Sequence, residues 1–374
     1  MVSEKNKGIT LVALVITIII LLILAGITIS SLTNTGLFGK AQEAKEKTKA
    51  AEANQTKILD EYETVLNQYD EKTLIYKVNN GEIKIGDYVK YIPDTLANTD
   101  SQYTTLMSNL KTYSGSNNNT NSTLSQELNT NWRVLDVKDG QVRLISEKPT
   151  KSTIKLKGFN GYNNVVGLID NACSTLYSNT KLAKRVQNLK IEDIQDQMVE
   201  TDYSKIANVY GTIVTPGKKY YPSILLKEKK QKVTIGENTN EGKELDLSEQ
   251  TEFINQTTIS KADKLEVQFT GWGKQMEIGD FKNNNSKYYE LFMGSDSNQY
   301  TYWISSRCIG ASSQYASFCV RCINNGISLA YGLCYSDGTE EDEYDYAFRP
   351  VITLNSNVQV TSGNGSSESP FNIQ

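Results

Sequence analysis

Residues 9–29, ITLVALVITIIILLILAGITI, carry no charged side chain, and Thr10, Thr17 and Thr28 are the only hydroxyls in the run. At the rise of an α-helix the run is about 30 Å long, the thickness of a bilayer's hydrocarbon core. A single segment can cross lipid only as a helix, because lipid offers no partners to open backbone groups. A buried core helix is usually apolar on one side, and this run is apolar all round. It also exceeds the usual apolar region of a signal peptide, and no clean small-x-small cleavage site follows it. The spacing therefore predicts a transmembrane helix over 9–33, and the rest of the chain has to be arranged around an anchor.

The residues in front of the run are a short basic leader ending Lys7-Gly8, followed by Ile9-Thr10-Leu11. This junction resembles the N-terminus of type IV prepilins and pseudopilins. The resemblance covers roughly the first 70 residues. It implies that residues 1–8 are a leader, that a prepilin peptidase cuts between Gly8 and Ile9, and that Ile9 becomes a methylated N-terminus. It also implies other pilin subunits as partners. One departure matters: the family usually has Glu at the fifth mature position, where its carboxylate neutralises the terminal ammonium of a neighbouring subunit. Here that position is Ala13. An unpaired charge in lipid is expensive, so the expectation is a minor or tip subunit rather than a self-stacking one.

Composition excludes several chemistries. The chain of 374 residues has a net charge of −4, with no basic excess to suggest a nucleic-acid footprint. It contains no histidine, which removes Ser-His-Asp and Cys-His nucleophilic sites and HExxH zinc hydrolases together. Phosphate-cradling GxxxxGK[ST] and GxGxxG loops are also missing from the sequence. A glycan hydrolase with a carboxylate pair needs no histidine and stays as the second alternative; the expectation is no enzyme and no cofactor. Cys308, Cys319, Cys322 and Cys334 cluster late in the chain, with Cys173 apart. A four-cysteine zinc site would need the CxxC on a turn, whereas SFCVRCI reads as a strand, whose alternation splits Cys319 and Cys322 between faces. No metal is expected. Cross-strand disulfides and unpaired thiols both remain open.

Asn34-Thr35-Gly36 marks a break. Beyond it Leu37, Ala41, Ala44, Thr48, Ala51, Gln55, Ile58, Tyr62, Val65 and Tyr69 form one stripe at helical spacing. That predicts an amphipathic stalk helix over 34–76, its far end packed on a globular head over 77–374. The head divides into a hairpin and helices (77–200), an irregular stretch (201–299) and a terminal strand cluster (300–361). A strand is read at 81–93, and WRVLDVKDGQVRLISEK is a hairpin closed by a type I′ turn at Asp139-Gly140. A two-residue loop pairs Val137 with Val142, Leu135 with Leu144 and Asp136 with Arg143. Leu135, Val137, Val142 and Leu144 would then share one buried face. Helices follow at about 164–177 and 189–198.

Three late strands are expected, at 300–309, 315–323 and 346–354. YWISSR, SFCVRCINNG and AFRPVITL resemble a C-terminal module of surface proteins from low-GC Gram-positive bacteria. Phe348-Arg349-Pro350-Val351 is similar to the closing strand of C-type-lectin-like domains. The expected fold class is therefore α+β with a C-type-lectin-like head, a β-sandwich head being the alternative. Candidate binding residues are the aromatics Trp303, Tyr315, Tyr335 and Tyr344 and the strand arginines Arg307, Arg321 and Arg349, with buried ion pairs as the other reading of the arginines. The acidic loop from Asp337 to Asp345 fits no recognised Ca²⁺ spacing and reads as a solvated turn. Together these give a single-pass membrane protein held in lipid by residues 9–29. Its N-terminus would be cytoplasmic and its head extracytoplasmic, free or in a surface filament, binding an extracellular glycan or protein. A plain single-pass surface protein without a filament role is the alternative.

Overall fold

A computed structural model describes residues 37–116, 124–197, 224–226, 253, 265–267, 286–295, 297–311, 316–325, 327–335 and 343–374. The apolar run, Gly8, Ile9, Tyr315 and most of the acidic loop lie outside the described residues, and none of the described helices is long and apolar enough to cross a membrane. The chain forms two compact units, Met1–Tyr69 and Asp70–Gln374.

In the first unit α1 (Leu37–Asn67) is 31 residues long, about 46 Å at 1.5 Å per residue. Exposed ion pairs one turn apart, Glu43–Lys47 and Lys57–Glu61, line it. Within this unit Leu59, Tyr62, Val65 and Leu66 are exposed on the last turns, and Tyr69 just beyond them.

The second unit is mixed α+β, built from α2 (Leu74–Asn79), β1 (Tyr88–Lys90), α3 (Ser101–Tyr113), β2 (Trp132–Lys138), β3 (Gln141–Ser146), β4 (Thr153–Leu156), α4 (Gly158–Tyr177), β5 (Ala183–Asn188) and α5 (Ile191–Gln195). The short antiparallel pair β6 (Ile224–Leu226) and β7 (Leu265–Val267) follows, then α6 (Ser286–Met293) and the small ladder β8 (Gly294–Ser295) and β9 (Asn298–Gln299). The chain ends in β10 (Tyr302–Ala311), β11 (Ala316–Asn324), β12 (Ile327–Tyr335), β13 (Tyr344–Ala347), β14 (Pro350–Leu354), β15 (Val360–Ser362) and β16 (Phe371–Ile373). Two large sheets result, with strand orders β15-β16-β1-β2-β3-β14-β5 and β12-β11-β10-β13-β4. Helix α4 buries Val165, Leu168, Ile169, Ala172, Cys173 and Leu176, the face its helical spacing predicts, and packs against strands of both sheets. That central helix makes the unit α+β rather than a plain sandwich.

The turn at Asp139-Gly140 has positive φ at both residues, 52° and 72°, as a type I′ hairpin demands. Val137 faces Val142 and Asp136 faces Arg143 as expected, but Leu135 does not face Leu144. The register slips between Val134 and Asp136, and Val134 takes the place opposite Leu144. A bulge of this kind re-aims every side chain beyond it. Val134, Val142 and Leu144 join the core cluster of Trp132 and Trp303, while Leu135 joins a second cluster with Ile145, Tyr302 and Val351. Both faces of the hairpin are buried, and Val137 near the turn is exposed.

The strand expected over 346–354 is two strands. Ala347 ends β13 opposite Thr153 in the five-stranded sheet, and Pro350 begins β14 opposite Asn188 in the seven-stranded one. Proline has no N–H to give a ladder, so the first position of a strand suits it. Between them the chain changes sheets, and side chains supply what the ladders do not. Phe348 N donates to Thr150 Oγ1 (3.0 Å) and Arg349 N to Asn188 Oδ1 (2.6 Å). The strand expected over 81–93 shrinks to Tyr88–Lys90, because Gly81 and Gly86 adopt positive φ in the turns before it.

Candidate functional site

The residues singled out by sequence divide by burial. Trp303 and Arg349 are fully buried, and Arg307 and Arg321 nearly so. Trp303 Nε1 donates to Ile154 O (2.8 Å), joining β10 to β4 across β13. Arg307 Nη1 donates to Asn163 O in α4 (2.8 Å), with its guanidinium 5.9 Å from the Tyr162 ring. Tyr344 is half-buried and stacks on Tyr331, ring centroids 4.5 Å apart, with Tyr346 beside them. Tyr335 ends β12, paired through its backbone with Ser317. Cys319 and Cys322 lie on one strand, β11; Cys322 is in the first core cluster with Val320, while Ile323, an odd step away, is in the second. Among the described residues no group of His, Cys, Asp or Glu could hold a metal ion.

Arg349 acts on the surface at one remove. Its Nε and Nη2 donate to Ser146 O (3.2 and 2.9 Å), Nη2 also to Glu147 O (3.1 Å), and Nη1 to Phe292 O (3.3 Å). The rings of Tyr300 and Tyr302 flank it at 4.8 and 5.5 Å. Fixing the backbone at the end of β3 fixes the Glu147 side chain, whose two oxygens accept from Tyr88 Oη (2.7 Å) and Asn131 Nδ2 (3.0 Å). Burial works to raise the Glu147 carboxyl, but the bonds from Asn131 and Tyr88 and the charges of Lys148 and Arg133 hold it below its ordinary value. Tyr88 is pushed up to about 12 by burial and by this same carboxylate.

Tyr88 and Asn131 belong to a groove of about 490 Å³. Strand alternation makes its floor: Val89 and Tyr91 point into the core, and Tyr88, Lys90 and Ile92 line the outward side. One wall is the loop 128–131 leading into β2; the other is the turn 367–370 leading into β16. The second wall depends on Gly365, at φ +80°, because a Cβ there would sit 2.6 Å from the Phe371 ring. Gly365 O in turn accepts from Tyr88 N (2.9 Å). The groove was not singled out from the sequence. Its walls are 240 residues apart, and no motif marks them; the only local trace is the outward alternation Tyr88-x-Lys90-x-Ile92.

No protein-family model, curated protein or solved structure matches the chain.

Proposed function

We propose that the protein is a pilin-like or pseudopilin-like surface subunit, processed by a prepilin peptidase, whose α+β head is a lectin-like binding domain displayed outside the cell membrane. The observation that carries the reading is the junction Lys7-Gly8-Ile9-Thr10-Leu11 set directly before an uncharged run of bilayer length. The exposed helix α1, following that run in sequence, supports it as the stalk of such a subunit. Its apolar side chains Leu59, Tyr62, Val65 and Leu66 recur at helical spacing, and we assign neighbouring subunits to that stripe. The mechanism is positional: the apolar helix anchors, α1 spaces, and the head meets a ligand.

Ala13 restricts the role. A new N-terminal ammonium at Ile9 would enter lipid with no carboxylate in this chain's own apolar run, and each such unpaired charge costs several kcal/mol. The subunit therefore enters a filament beside pilins that carry the glutamate, and not by stacking on itself. Expression with prepilin peptidase and an assembly ATPase, with and without a glutamate-bearing pilin, tests this by electron microscopy and immunolabelling. Labelled filaments are expected only in the presence of the other pilin. Long filaments of this chain alone would overturn the charge argument, and exclusion from filaments under both conditions would overturn the filament role.

A further inference from the structure

We propose that the groove over β1 binds an uncharged oligosaccharide, an inference that rests on the reading of the head as a surface-displayed binding domain. The chemistry of the walls selects the ligand class. Among the lining residues Lys90 is the sole cation and Glu368 the sole carboxylate, so the groove offers no net charge to an anion such as phosphate, sulfate or nucleic acid. Both hydrogen-bonding edges of β1 are already taken, by β2 and by β16. The floor cannot add a strand of peptide, the commonest way a sheet captures an extended chain. Recognition has to come from side chains.

Those side chains include amides that are held in place before a ligand arrives. Asn131 gives one Nδ2 hydrogen to Glu147, and Asn372 gives one to Ser362 Oγ (2.8 Å). Each amide is oriented by that bond and keeps its second N–H, together with a carbonyl oxygen that no donor meets among the described residues. Asn129 and the Glu368 carboxylate stand exposed on the two walls. A ligand matching fixed acceptors and donors side by side is one dense in hydroxyls, which both give and accept, and free of charge, and a sugar meets that description. Ile92 on the floor and Leu128 on the wall are 50% and 40% exposed. They give the apolar patches that the C–H face of a pyranose ring covers. Holding the amides in advance lowers the ordering cost of binding; Glu147, with Arg349 behind it, holds Asn131, and Ser362 holds Asn372.

The test uses the purified full chain in detergent, screened on an array of neutral, sialylated and sulfated oligosaccharides, with the best neutral hit then titrated calorimetrically. Two exposed substitutions probe the groove: Ile92→Ser removes the apolar floor, and Asn129→Arg blocks a wall with bulk and charge. Each is expected to weaken binding by about tenfold or more, the loss of one good anchor, with the circular-dichroism melting curve unchanged. Binding that survives both substitutions, binding confined to charged glycans, or no binding to any array member would overturn the proposal. Mass spectrometry of the N-terminus in the same preparation keeps the two readings apart. A correctly processed chain that binds no sugar defeats the groove alone. A sugar-binding chain that is never processed defeats the pilin-like reading and leaves the groove standing.

Discussion

The hairpin at Asp139-Gly140 and the sheet crossover at Phe348-Arg349 each bury an arginine, and they neutralise it in opposite ways. Arg143 on the hairpin meets two carboxylates: its Nε donates to Asp136 Oδ1 (2.7 Å), its Nη2 to the other oxygen of Asp136, and its Nη1 to Asp193 (2.5 Å). Lys138 adds a second cation against Asp193 and Asp196. Burial would lower the Arg143 pKa, but the aspartates outweigh it and raise it. Arg349 meets carbonyl oxygens and two tyrosine rings, and no carboxylate pairs with it among the described residues. A charge matched by charge is local and strong, and breaks badly when one partner goes. A charge spread over dipoles is assembled from distant segments, and its removal is felt mainly by the backbone it was holding.

The largest expected effect is at the hairpin. Asp136→Ala leaves Arg143 with half its partners in a dry site and should cost about 3–5 kcal/mol. Unfolding followed by tryptophan fluorescence reads it in the intact chain, because the sequence has no tryptophan before Trp132, and Trp132 and Trp303 are buried in the second unit. Next comes Arg349→Met, which removes the charge and leaves the carbonyls and rings around it in place. Ser146 O loses both its guanidinium donors, whereas Phe292 O and Glu147 O retain the hydroxyls of Tyr302 and Tyr300. A cost of about 2–4 kcal/mol is expected; a loss exceeding that of Asp136→Ala would reverse the contrast between the two arginines. Smaller again is Gly140→Val, which forces a β-branched residue to φ +72° and should cost at least about 1 kcal/mol. An unchanged melting temperature would contradict the turn type.

The smallest effect is in the pH dependence. Glu147 is held below its ordinary pKa in the folded state, so its contribution is present above roughly pH 4, the unfolded value for a glutamate, and fades as pH falls through the folded value. Glu147→Gln should lower stability slightly at neutral pH, where the carboxylate contributes, and converge with the parent chain at low pH, so that the acid limb of the stability profile flattens. A steeper acid limb in the variant would show that the clamp on Tyr88 and Asn131 works by something other than charge.

The same contrast explains what the sequence disclosed. The Asp136–Arg143 pair and the turn were legible because a two-residue loop fixes register over the nearest few positions. Leu135 was misplaced because a bulge leaves no composition signature when the residue before it, Val134, is equally apolar. The arginines of the late strands were legible as residues that would be buried with partners or reach a ligand. For Arg349 those partners turned out to be carbonyls of residues up to 203 positions away, and only the tertiary fold brings such oxygens together. FRPV reads as a continuous strand because alternation survives a change of sheet; Pro350 was the one local sign of the break. The groove needs β1, β2 and β16 side by side, an order in which first and last strands are neighbours, and such pairing is invisible to local periodicity. The stalk helix expected over 34–76 was read from its stripe, a pattern that is local by nature, and the structure has α1 over Leu37–Asn67.

The central claim, that this head is carried on a processed, lipid-anchored helix, is tested most directly by intact mass spectrometry of the mature chain purified from membranes of cells carrying a prepilin peptidase. The account predicts a chain beginning at Ile9 with one added methyl group, and retention of the leader when Gly8→Val blocks the cut. A mature chain that keeps Met1 beside an active peptidase, or that begins near Ser30 as a cleaved signal peptide would leave it, would contradict the account.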